Sequence, residues 1–428
     1  MTARQPKSAC GIAADIGACA GQRKGGSLAP FSPLIWSFAL PMTAIRDTIL
    51  KLDRNGIAAV STKGLGKRDI IPLWFGESDI VTPEFIRAAA KKALDDGRTF
   101  YTFARGITEL REAIATWVTR QCGRPLDVER VTVPGAAMMG VQIALQCVCE
   151  AGDNVVIISP MWPNIFQAVR GLGAEPRFVR LSGGSAGQPW VPDLEQLFAA
   201  CDARTKAIFF ASPSNPTGWI MRVEEQRAVL EFARKHGIAI ISDEVYTPIV
   251  YDVIAPSFAA LADDEDDVFI VNSFSKAWAM TGWRVGWLIH PLKLRVQMAE
   301  MSSYNNTGAT TFAQYGALTA LRDGDEFIGF MREMSRRGRD IVEAFLRTQN
   351  RMSWSKPEGA FYGFIAIDGM SDSMAFAKRL VEEAKVGVAP GRAFGPADDK
   401  DNDRFIRICF AQSAALLEEA LGRIANAL

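Results

Sequence analysis

Histidine is nearly absent from this 428-residue sequence, which contains only His236 and His290. Catalytic zinc sites and Ser-His-Asp triads both depend on well-placed imidazoles, so neither class is well supplied here. The seven cysteines are scattered, without the spacing of a disulfide framework or of a metal-binding pair. We therefore predict no metal site, and the cysteine pattern favours a reducing compartment, the cytoplasm.

Net charge is also absent, because 48 lysines and arginines balance 48 aspartates and glutamates. Such a chain has no electrostatic reason to bind nucleic acid or an anionic membrane surface. Beyond the N-terminal region, no apolar run is long enough to suggest a membrane span. We expect neither a nucleic-acid partner nor a membrane partner. The length exceeds what one small core supports, which predicts two domains.

The first 41 residues differ from the rest in being small and rich in Gly, Ala and Ser, with Asp15 as the only acidic residue. Basic residues at 23–24 precede an apolar run, as in a signal peptide, but two prolines interrupt that run and no convincing cleavage site follows. We interpret residues 1–41 as a disordered extension or an over-long gene model, with Met42 as the natural start.

Short, continuous apolar runs recur in the middle of the chain, at 155–159, 207–212, 238–242 and 268–273. Continuous hydrophobicity is typical of strands that are covered on both faces, as in a parallel sheet between helices. We therefore predict a large α/β domain with a mostly parallel sheet over residues 89–325. Amphipathic helix mixed with short strands at 326–428, joined by residues 42–88, predicts a smaller α+β domain.

Unusual residues follow each of these predicted strands, at 160–164, 213–218, 243–246 and 274–276. Ligands of open α/β sheets bind beyond the carboxyl ends of the strands, so the four segments indicate one site. A further strand turns at Gly135–Ala137 into an apolar helix. Free N–H groups at that helix start would suit an anion, although a plain strand–helix turn explains the pattern equally well.

Lys276 follows one of these strands, with Ser273 and Ser275 before it and Arg284 after it. An amine desolvated beside a cation loses its proton more readily than a surface amine, and can then attack a carbonyl. Hydroxyls and a guanidinium are suitable partners for a phosphate. The combination favours a Schiff-base lysine that holds a phosphorylated aldehyde; an ordinary loop lysine is the alternative.

An ordered set of motifs extends these features from about residue 70 to the C-terminus. The set comprises Gly76–Pro83, Tyr101 with Gly106, Leu110–Arg111, Asn215–Gly218, Asp243–Tyr246, Ser273–Lys276 with Arg284, and Arg407. In order and spacing it resembles the class I/II, fold-type I aminotransferases that depend on pyridoxal 5'-phosphate, the aspartate-aminotransferase-like group. The resemblance implies the fold-type I architecture, that cofactor, and a homodimer with shared active sites.

The resemblance also implies roles for particular residues. Lys276 would form the Schiff base and move the Cα proton, Asp243 would pair with the pyridinium nitrogen, and Tyr246 would hydrogen-bond the phenolic oxygen of the ring. The implied cofactor-binding residues are these three together with Tyr101, Gly135, Ala136, Ala137, Trp162, Asn215, Ser273, Ser275 and Arg284. Tyr101 would reach the phosphate of the neighbouring subunit.

For the substrate, the resemblance implies that Arg407 grips the α-carboxylate, with Gly76, Trp162 and Asn215 beside it. Bidentate recognition of a carboxylate is a task for which lysine is a poor substitute. Segment 302–314 contains no arginine, and Ala136 stands where the family often has threonine or lysine. We therefore do not expect strict aspartate specificity, and the sequence does not define the amino donor and acceptor.

The predicted activity is transfer of an amino group between an amino acid and a 2-oxo acid. A C–S lyase, or another elimination or synthase activity on the same fold, is the alternative, because the same carbanion can have several fates. A cofactor-binding regulator would need a DNA-binding helix–turn–helix upstream, and the pattern of residues 1–45 lacks one.

Overall fold

Continuous apolar sequence forms the central sheet in the computed structural model, which describes residues 45–428. The predicted extension at 1–41 lies outside the described residues, as do Met42 and two of the cysteines. The strands are β1 Ile71–Pro72, β2 Val131–Gly135, β3 Asn154–Ser159, β4 Glu175–Arg180, β5 Thr205–Ala211, β6 Ala239–Asp243, β7 Val268–Ser273, β8 Gly286–Ile289, β9 Met352–Trp354, β10 Tyr362–Ile367, β11 Val386–Gly387, β12 Ala389–Pro390 and β13 Phe405–Cys409.

Helices cover the sheet and connect its strands. They are α1 Asp47–Leu50, α2 Gly56–Ser61, α3 Glu84–Asp95, α4 Thr108–Cys122, α5 Ala137–Val148, α6 Asn164–Leu172, α7 Leu194–Ala199, α8 Val223–His236, α9 Arg295–Asn306, α10 Thr311–Asp323, α11 Asp325–Leu346, α12 Ser373–Arg379 and α13 Ala414–Asn426. A π-helix at Leu380–Ala384 extends α12. Among residues 45–428, no helix has both the length and the apolar character needed to cross a membrane.

The large sheet has seven strands in the order β2-β8-β7-β6-β5-β3-β4. Strands β7, β6, β5, β3 and β4 run parallel, whereas β8 runs antiparallel to both of its neighbours. The prediction of a mostly parallel α/β sheet is confirmed. Because parallel strands end on the same side, the segments after β3, β5, β6 and β7 meet at one edge.

A smaller antiparallel sheet, in the order β12-β13-β10-β9, and the parallel pair β1–β11 complete the strands of the described range. The β1–β11 pair joins residues 71–72 to residues 386–387. Arg46–Leu428 form one compact unit. The domain boundaries at 88/89 and 325/326 stay a prediction.

Local sequence explains where the site-bearing elements begin and end. Helix α8 begins where the Glu225 carboxylate accepts from the backbone N–H of Arg222, at 2.6 Å. It ends at Gly237, which takes the left-handed conformation (φ 64°) that favours glycine. Helix α5 presents Gly140 to Leu288 and Val271, so the helix lies close to β7 and β8 and its start reaches the strand ends.

Candidate active site

The strand ends enclose a cavity of about 290 Å³. Most of the residues predicted for the site line it: Gly76, Ala137, Trp162, Asn215, Asp243, Tyr246, Ser273, Ser275, Lys276, Arg284 and Arg407. Gly135 and Ala136 stand at the turn just before the cavity wall, and Tyr101 lies elsewhere on the surface. One fold thus brings together predicted residues that are up to 331 positions apart in the sequence, from Gly76 to Arg407.

Lys276 lies in the turn after β7, half-buried in this cavity. Its Nζ donates a hydrogen bond to the carbonyl oxygen of Gly76 at 2.7 Å. Burial lowers the pKa of Lys276 from 10.5 to about 8, because the protonated amine loses hydration. At neutral pH this shift makes the nucleophilic, neutral amine about 300-fold more abundant than in an exposed lysine.

Asp243 is the last residue of β6 and its carboxylate is half-buried in the same cavity. Burial raises the pKa of Asp243 to about 6, while the backbone N–H of Val245, 3.3 Å from Oδ1, and the charge of Lys276 oppose the rise. The carboxylate therefore stays mostly ionised at neutral pH. A cation placed against it would be strongly favoured in this poorly hydrated environment.

The hydroxyl of Tyr246 is hydrogen-bonded to Tyr362, a residue that the sequence did not indicate as part of the site. The hydroxyls of Tyr246 and Tyr362 are 2.6 Å apart, and both side chains are buried. Burial raises the pKa of both phenols, so both stay protonated and one donates to the other. Tyr362 begins β10, inside a run that predicts a strand but gives no sign that this side chain enters the site.

Gly76 is required by the position of Tyr362. A Cβ atom at residue 76 would lie 1.9 Å from the Tyr362 hydroxyl and 2.9 Å from its ring carbon Cζ. Any other residue would displace the tyrosine. The carbonyl oxygen of Gly76 also accepts from Lys276 Nζ.

Arg407 stands in the middle of β13 with only 2% of its surface exposed. One terminal nitrogen donates to Asn215 Oδ1 at 3.0 Å, and the other donates to the carbonyl oxygen of Trp74. The guanidinium also lies 4.5 Å from the centre of the Tyr362 ring. Its Nε has no hydrogen-bond partner among the described residues. Arg404, three residues before Arg407, is exposed and does not line the cavity.

Hydroxyls and a second guanidinium also line the cavity. Ser273 Oγ donates to Ser275 Oγ at 2.9 Å and accepts from the backbone N–H of Ser275 at 3.1 Å. Arg284 has a left-handed backbone (φ 56°), and its guanidinium donates to the carbonyl oxygen of Thr281 at 2.6 Å. These donors, together with the nearby start of α5, form a suitable site for an anion.

The turn into α5 is closely packed. Gly135 has φ 105°, and a Cβ atom there would lie 2.9 Å from Nδ2 of Asn306, which donates to the Pro134 carbonyl oxygen. At Gly286, an added Cβ would lie 2.9 Å from the backbone nitrogen of Ala137. Glycine at both positions lets β2, β8 and the helix start approach each other.

Trp162 follows β3 and is half-buried against the cavity. The preceding residue is fixed, because the N–H of Met161 donates to the Phe394 carbonyl oxygen at 2.7 Å. Tyr101, by contrast, is 89% exposed and contributes nothing to the cavity of its own chain.

Several cavity residues were missed by sequence reasoning. They are Asn55, Ile57, Ala58, Trp74, Phe75, Met138, Val141, Ala211 and Tyr362. Asn55 had a detectable signal, since it caps α2 by accepting from the N–H groups of Ile57 and Ala58, and Asn is a preferred capping residue. The others form a largely apolar wall that has no distinctive residue pattern.

The chain is similar in sequence to known aminotransferases. Residues 68–424 match the family model described as aminotransferase class I and II. A probable aspartate/prephenate aminotransferase of Aquifex aeolicus is 36% identical over 368 residues, which cover 84% of this chain and 91% of that protein. An aromatic-amino-acid aminotransferase of Thermococcus litoralis is 34% identical over 390 residues, covering 90% and 98%.

Solved structures agree with the sequence matches. The aspartate aminotransferase of Thermus thermophilus with maleate superposes with a TM-score of 0.83 at 32% identity. That match covers 90% of this chain and 100% of the Thermus chain. The fold is therefore shared over nearly the whole described range.

Proposed function

The chain belongs to the class I and II aminotransferase family, and from this premise we propose that it transfers an amino group between an amino acid and a 2-oxo acid with pyridoxal 5'-phosphate as its cofactor. The observation that carries the proposal is the pairing of Lys276, an amine of lowered pKa, with the Asp243 carboxylate in one cavity. The relatives reported above are aminotransferases, which does not favour the C–S lyase alternative.

The residues present fit this cofactor. Ser273, Ser275, Arg284 and the start of α5 supply donors for a phosphate monoester. Asp243 offers a negative charge for a protonated ring nitrogen, and Trp162 offers an aromatic surface for the ring. When bound, pyridoxal phosphate supplies an electron sink that accepts the electrons of the substrate Cα–H bond.

Lys276 is the proposed attachment residue and proton carrier. Its lowered pKa lets Nζ exist as a free amine near neutrality, so it can take the proton from the substrate Cα and return it later in the turnover. The Gly76 carbonyl oxygen, 2.7 Å from Nζ, orients the amine while it waits.

Arg407 is the proposed binding residue for the substrate α-carboxylate. The guanidinium is fixed on two sides by Asn215 and Trp74 and from one face by the Tyr362 ring, so it is preorganised for a planar anion. Its unpartnered Nε is a donor for which a carboxylate oxygen is a suitable acceptor.

The rest of the cavity lining favours an amino-acid substrate with an apolar side chain. The cationic residues that line it are Lys276, Arg284 and Arg407, each already placed at an attachment, phosphate or α-carboxylate position. Ile57, Ala58, Phe75, Met138 and Val141 supply apolar wall instead. We therefore propose that amino acids with aliphatic or aromatic side chains are preferred over aspartate.

A homodimer with shared sites is part of the proposal. Phe100, Tyr101 and Phe103 are 81%, 89% and 77% exposed, an aromatic segment that a second copy of the chain would cover. A dimer assembled from Tyr101→Phe and Lys276→Ala subunits tests it, because one of its two sites would then carry both lesions and the other neither. Recovered activity near half of the wild-type value supports sharing; no recovery contradicts it.

We also propose the cytoplasm as its location, supported by the free cysteines of the described range. Fractionation of the source cells tests this.

A half-reaction scan tests the central proposal. Purified protein with bound cofactor is mixed with single amino acids while the cofactor spectrum is followed, and borohydride reduction with mass spectrometry locates the attachment. We expect the label on Lys276, loss of both label and spectral change in Lys276→Ala, and the largest changes with leucine, phenylalanine or tyrosine. The matched control is Lys293→Ala, a surface lysine after β8. Label on another residue contradicts the proposal, and a response to aspartate and glutamate alone contradicts the side-chain preference.

A further inference from the structure

Tyr362 contacts two residues of the active site, and its hydroxyl has no role in the function proposed above. The side chain is fully buried and lines the cavity. The centre of its ring lies 4.5 Å from the guanidinium of Arg407, and its hydroxyl oxygen lies 2.6 Å from that of Tyr246. One side chain therefore joins the proposed carboxylate-binding residue to a proposed cofactor-binding residue.

Strand register explains why Tyr362 lies against Arg407. In the antiparallel pair of β10 and β13, Phe364 is opposite Arg407, and Tyr362 stands two positions before Phe364. Residues two apart in a strand point to the same face, so Tyr362 and Arg407 are diagonal neighbours on one face of the small sheet. Tyr246 follows β6 of the large sheet, so the hydrogen bond between the two phenols connects the two sheets.

The Tyr246–Tyr362 hydrogen bond leaves one proton without an acceptor. The two hydroxyls carry two protons, and the bond between them uses one. Within residues 45–428, neither hydroxyl makes a further hydrogen bond. A buried O–H group without an acceptor is costly. The pair of phenols therefore offers one unused O–H donor to a ligand of the cavity.

Two features place the unused O–H on Tyr246. The positive charge of Arg407 beside the Tyr362 ring makes that phenol the more acidic of the two and hence the better donor. Burial raises the pKa of both phenols, and at Tyr362 the charge of Arg407 is the largest influence against the rise. The Tyr362 hydroxyl also packs against Gly76, where an added Cβ would lie 1.9 Å away. The Tyr246 ring, in contrast, lies beside Lys276, with its centre 5.9 Å from Nζ.

We propose that Tyr362 is a positioning residue that donates to the Tyr246 hydroxyl and thereby directs the Tyr246 O–H at the phenolic oxygen of pyridoxal 5'-phosphate. This inference rests on the proposed function, in which Tyr246 hydrogen-bonds that oxygen. A hydroxyl that accepts a hydrogen bond becomes a stronger donor, by about 10–30% per bond. Tyr362 thus stabilises negative charge on the cofactor oxygen without contacting the cofactor.

The proton on the linkage between Lys276 and the cofactor reports this effect. A negative phenolic oxygen holds that proton, and a hydrogen bond donated by Tyr246 disperses the negative charge, so it favours loss of the proton. A hydrogen bond to a charged group shifts such an equilibrium by about one to two pH units. The share that Tyr362 contributes through Tyr246 is about 0.3 unit.

Spectrophotometric titration of the cofactor-loaded protein, with no substrate present, tests the proposal. We expect the pH midpoint of the cofactor absorbance to rise by about 0.3 unit in Tyr362→Phe and by about one unit or more in Tyr246→Phe. Tyr251→Phe is the matched control and should leave the midpoint unchanged. Tyr251 is a buried phenol that donates to the Ala360 carbonyl oxygen and lies 4.3 Å from the Arg339 guanidinium, but it does not line the cavity.

A double variant separates an effect through Tyr246 from a general disturbance of the site. Because Tyr362 acts through the Tyr246 hydroxyl, the variant with phenylalanine at both positions should have the same midpoint as Tyr246→Phe. Phenylalanine fills the space of the tyrosine ring, and circular dichroism confirms that each variant is folded.

Three results would overturn the inference. They are an unmoved or lowered midpoint in Tyr362→Phe, an equal rise in Tyr251→Phe, and a double variant whose midpoint differs from that of Tyr246→Phe. A wild-type protein that takes up no cofactor, or that attaches it to a residue other than Lys276, contradicts the proposed function itself and the inference with it. The two kinds of failure are therefore distinguishable.

Discussion

The contact between Gly76 and Tyr362 gives the sharpest test of how the site is packed. In Gly76→Ala, the new methyl group would lie 1.9 Å from the tyrosine hydroxyl. Ordinary van der Waals contact begins at about 3.4 Å, so the hydroxyl has to retreat by about 1.5 Å. That movement breaks its 2.6 Å hydrogen bond to Tyr246 and shifts the ring under Arg407.

The expected loss of stability has two parts. Overpacking a rigid site costs about 1–3 kcal/mol, and the lost hydrogen bond costs about 1 kcal/mol, for a total of about 2–4 kcal/mol. Tyr362→Phe alone loses the hydrogen bond and should cost about 1 kcal/mol. In the double variant the 1.9 Å contact is gone and the contacts to Cζ at 2.9 Å and Cε1 at 3.3 Å remain, so Gly76→Ala should do less damage there.

Urea unfolding of the four proteins, followed by circular dichroism, measures this coupling in the free energy of unfolding. We expect the double variant to be more stable than the sum of the single effects by about 1–2 kcal/mol. Gly329→Ala on α11 is the control, because no atom lies within 4 Å of its added Cβ and the helix should gain about 0.5–1 kcal/mol. Strict additivity, or a Gly76→Ala protein as stable as the wild type, would refute the reasoning.

Three further predictions concern the chemistry. Arg407→Lys should lower kcat/KM by about 10–100-fold, mostly through KM, because a lysine cannot replace the fork held by Asn215 and Trp74; exposed Arg404→Lys should behave as wild type. Cofactor uptake by the apoprotein should accelerate with pH up to the Lys276 pKa of about 8 and then level off, since the neutral amine reacts; a rate that still climbs at pH 9–10 would indicate an ordinary lysine. Asp243→Asn should reduce turnover at least about 100-fold. It should also move the midpoint of the pH dependence of cofactor uptake below pH 8, because the Asp243 charge raises the pKa of Lys276. An unchanged midpoint would argue against that interaction.

The strands and their polar ends were predictable, because each of β3, β5, β6 and β7 is a continuous apolar run followed by distinctive residues. Two strands of the large sheet were not. Strand β4 alternates charged and apolar residues at the sheet edge, and β8 is only four residues long and begins directly after the Arg284 turn. Strand β4 lacks the continuous hydrophobicity, and β8 lacks the length, that marks a buried strand in a sequence.

Tyr362 shows why part of the site escaped prediction. Its importance comes from two residues far away in sequence: Tyr246, whose hydroxyl it hydrogen-bonds, and Gly76, whose lack of a side chain leaves room for the tyrosine. A single sequence carries no record of which strand of the small sheet faces which turn of the large one. Residues whose type and motif indicate a chemical role could be predicted from the sequence, whereas residues that matter through their position could be identified only from the structure.

The hydrogen bonds of Gly76 and Trp74 have a consequence for biosynthesis. Lys276 and Asp243 are synthesised well before β13. The guanidinium of Arg407, however, can donate to the Trp74 carbonyl oxygen only after β13, the last strand, has paired with β10. Contacts between such distant segments form late, since long loops must close first. A nascent chain should therefore be unable to bind a substrate carboxylate through Arg407 until synthesis is almost complete.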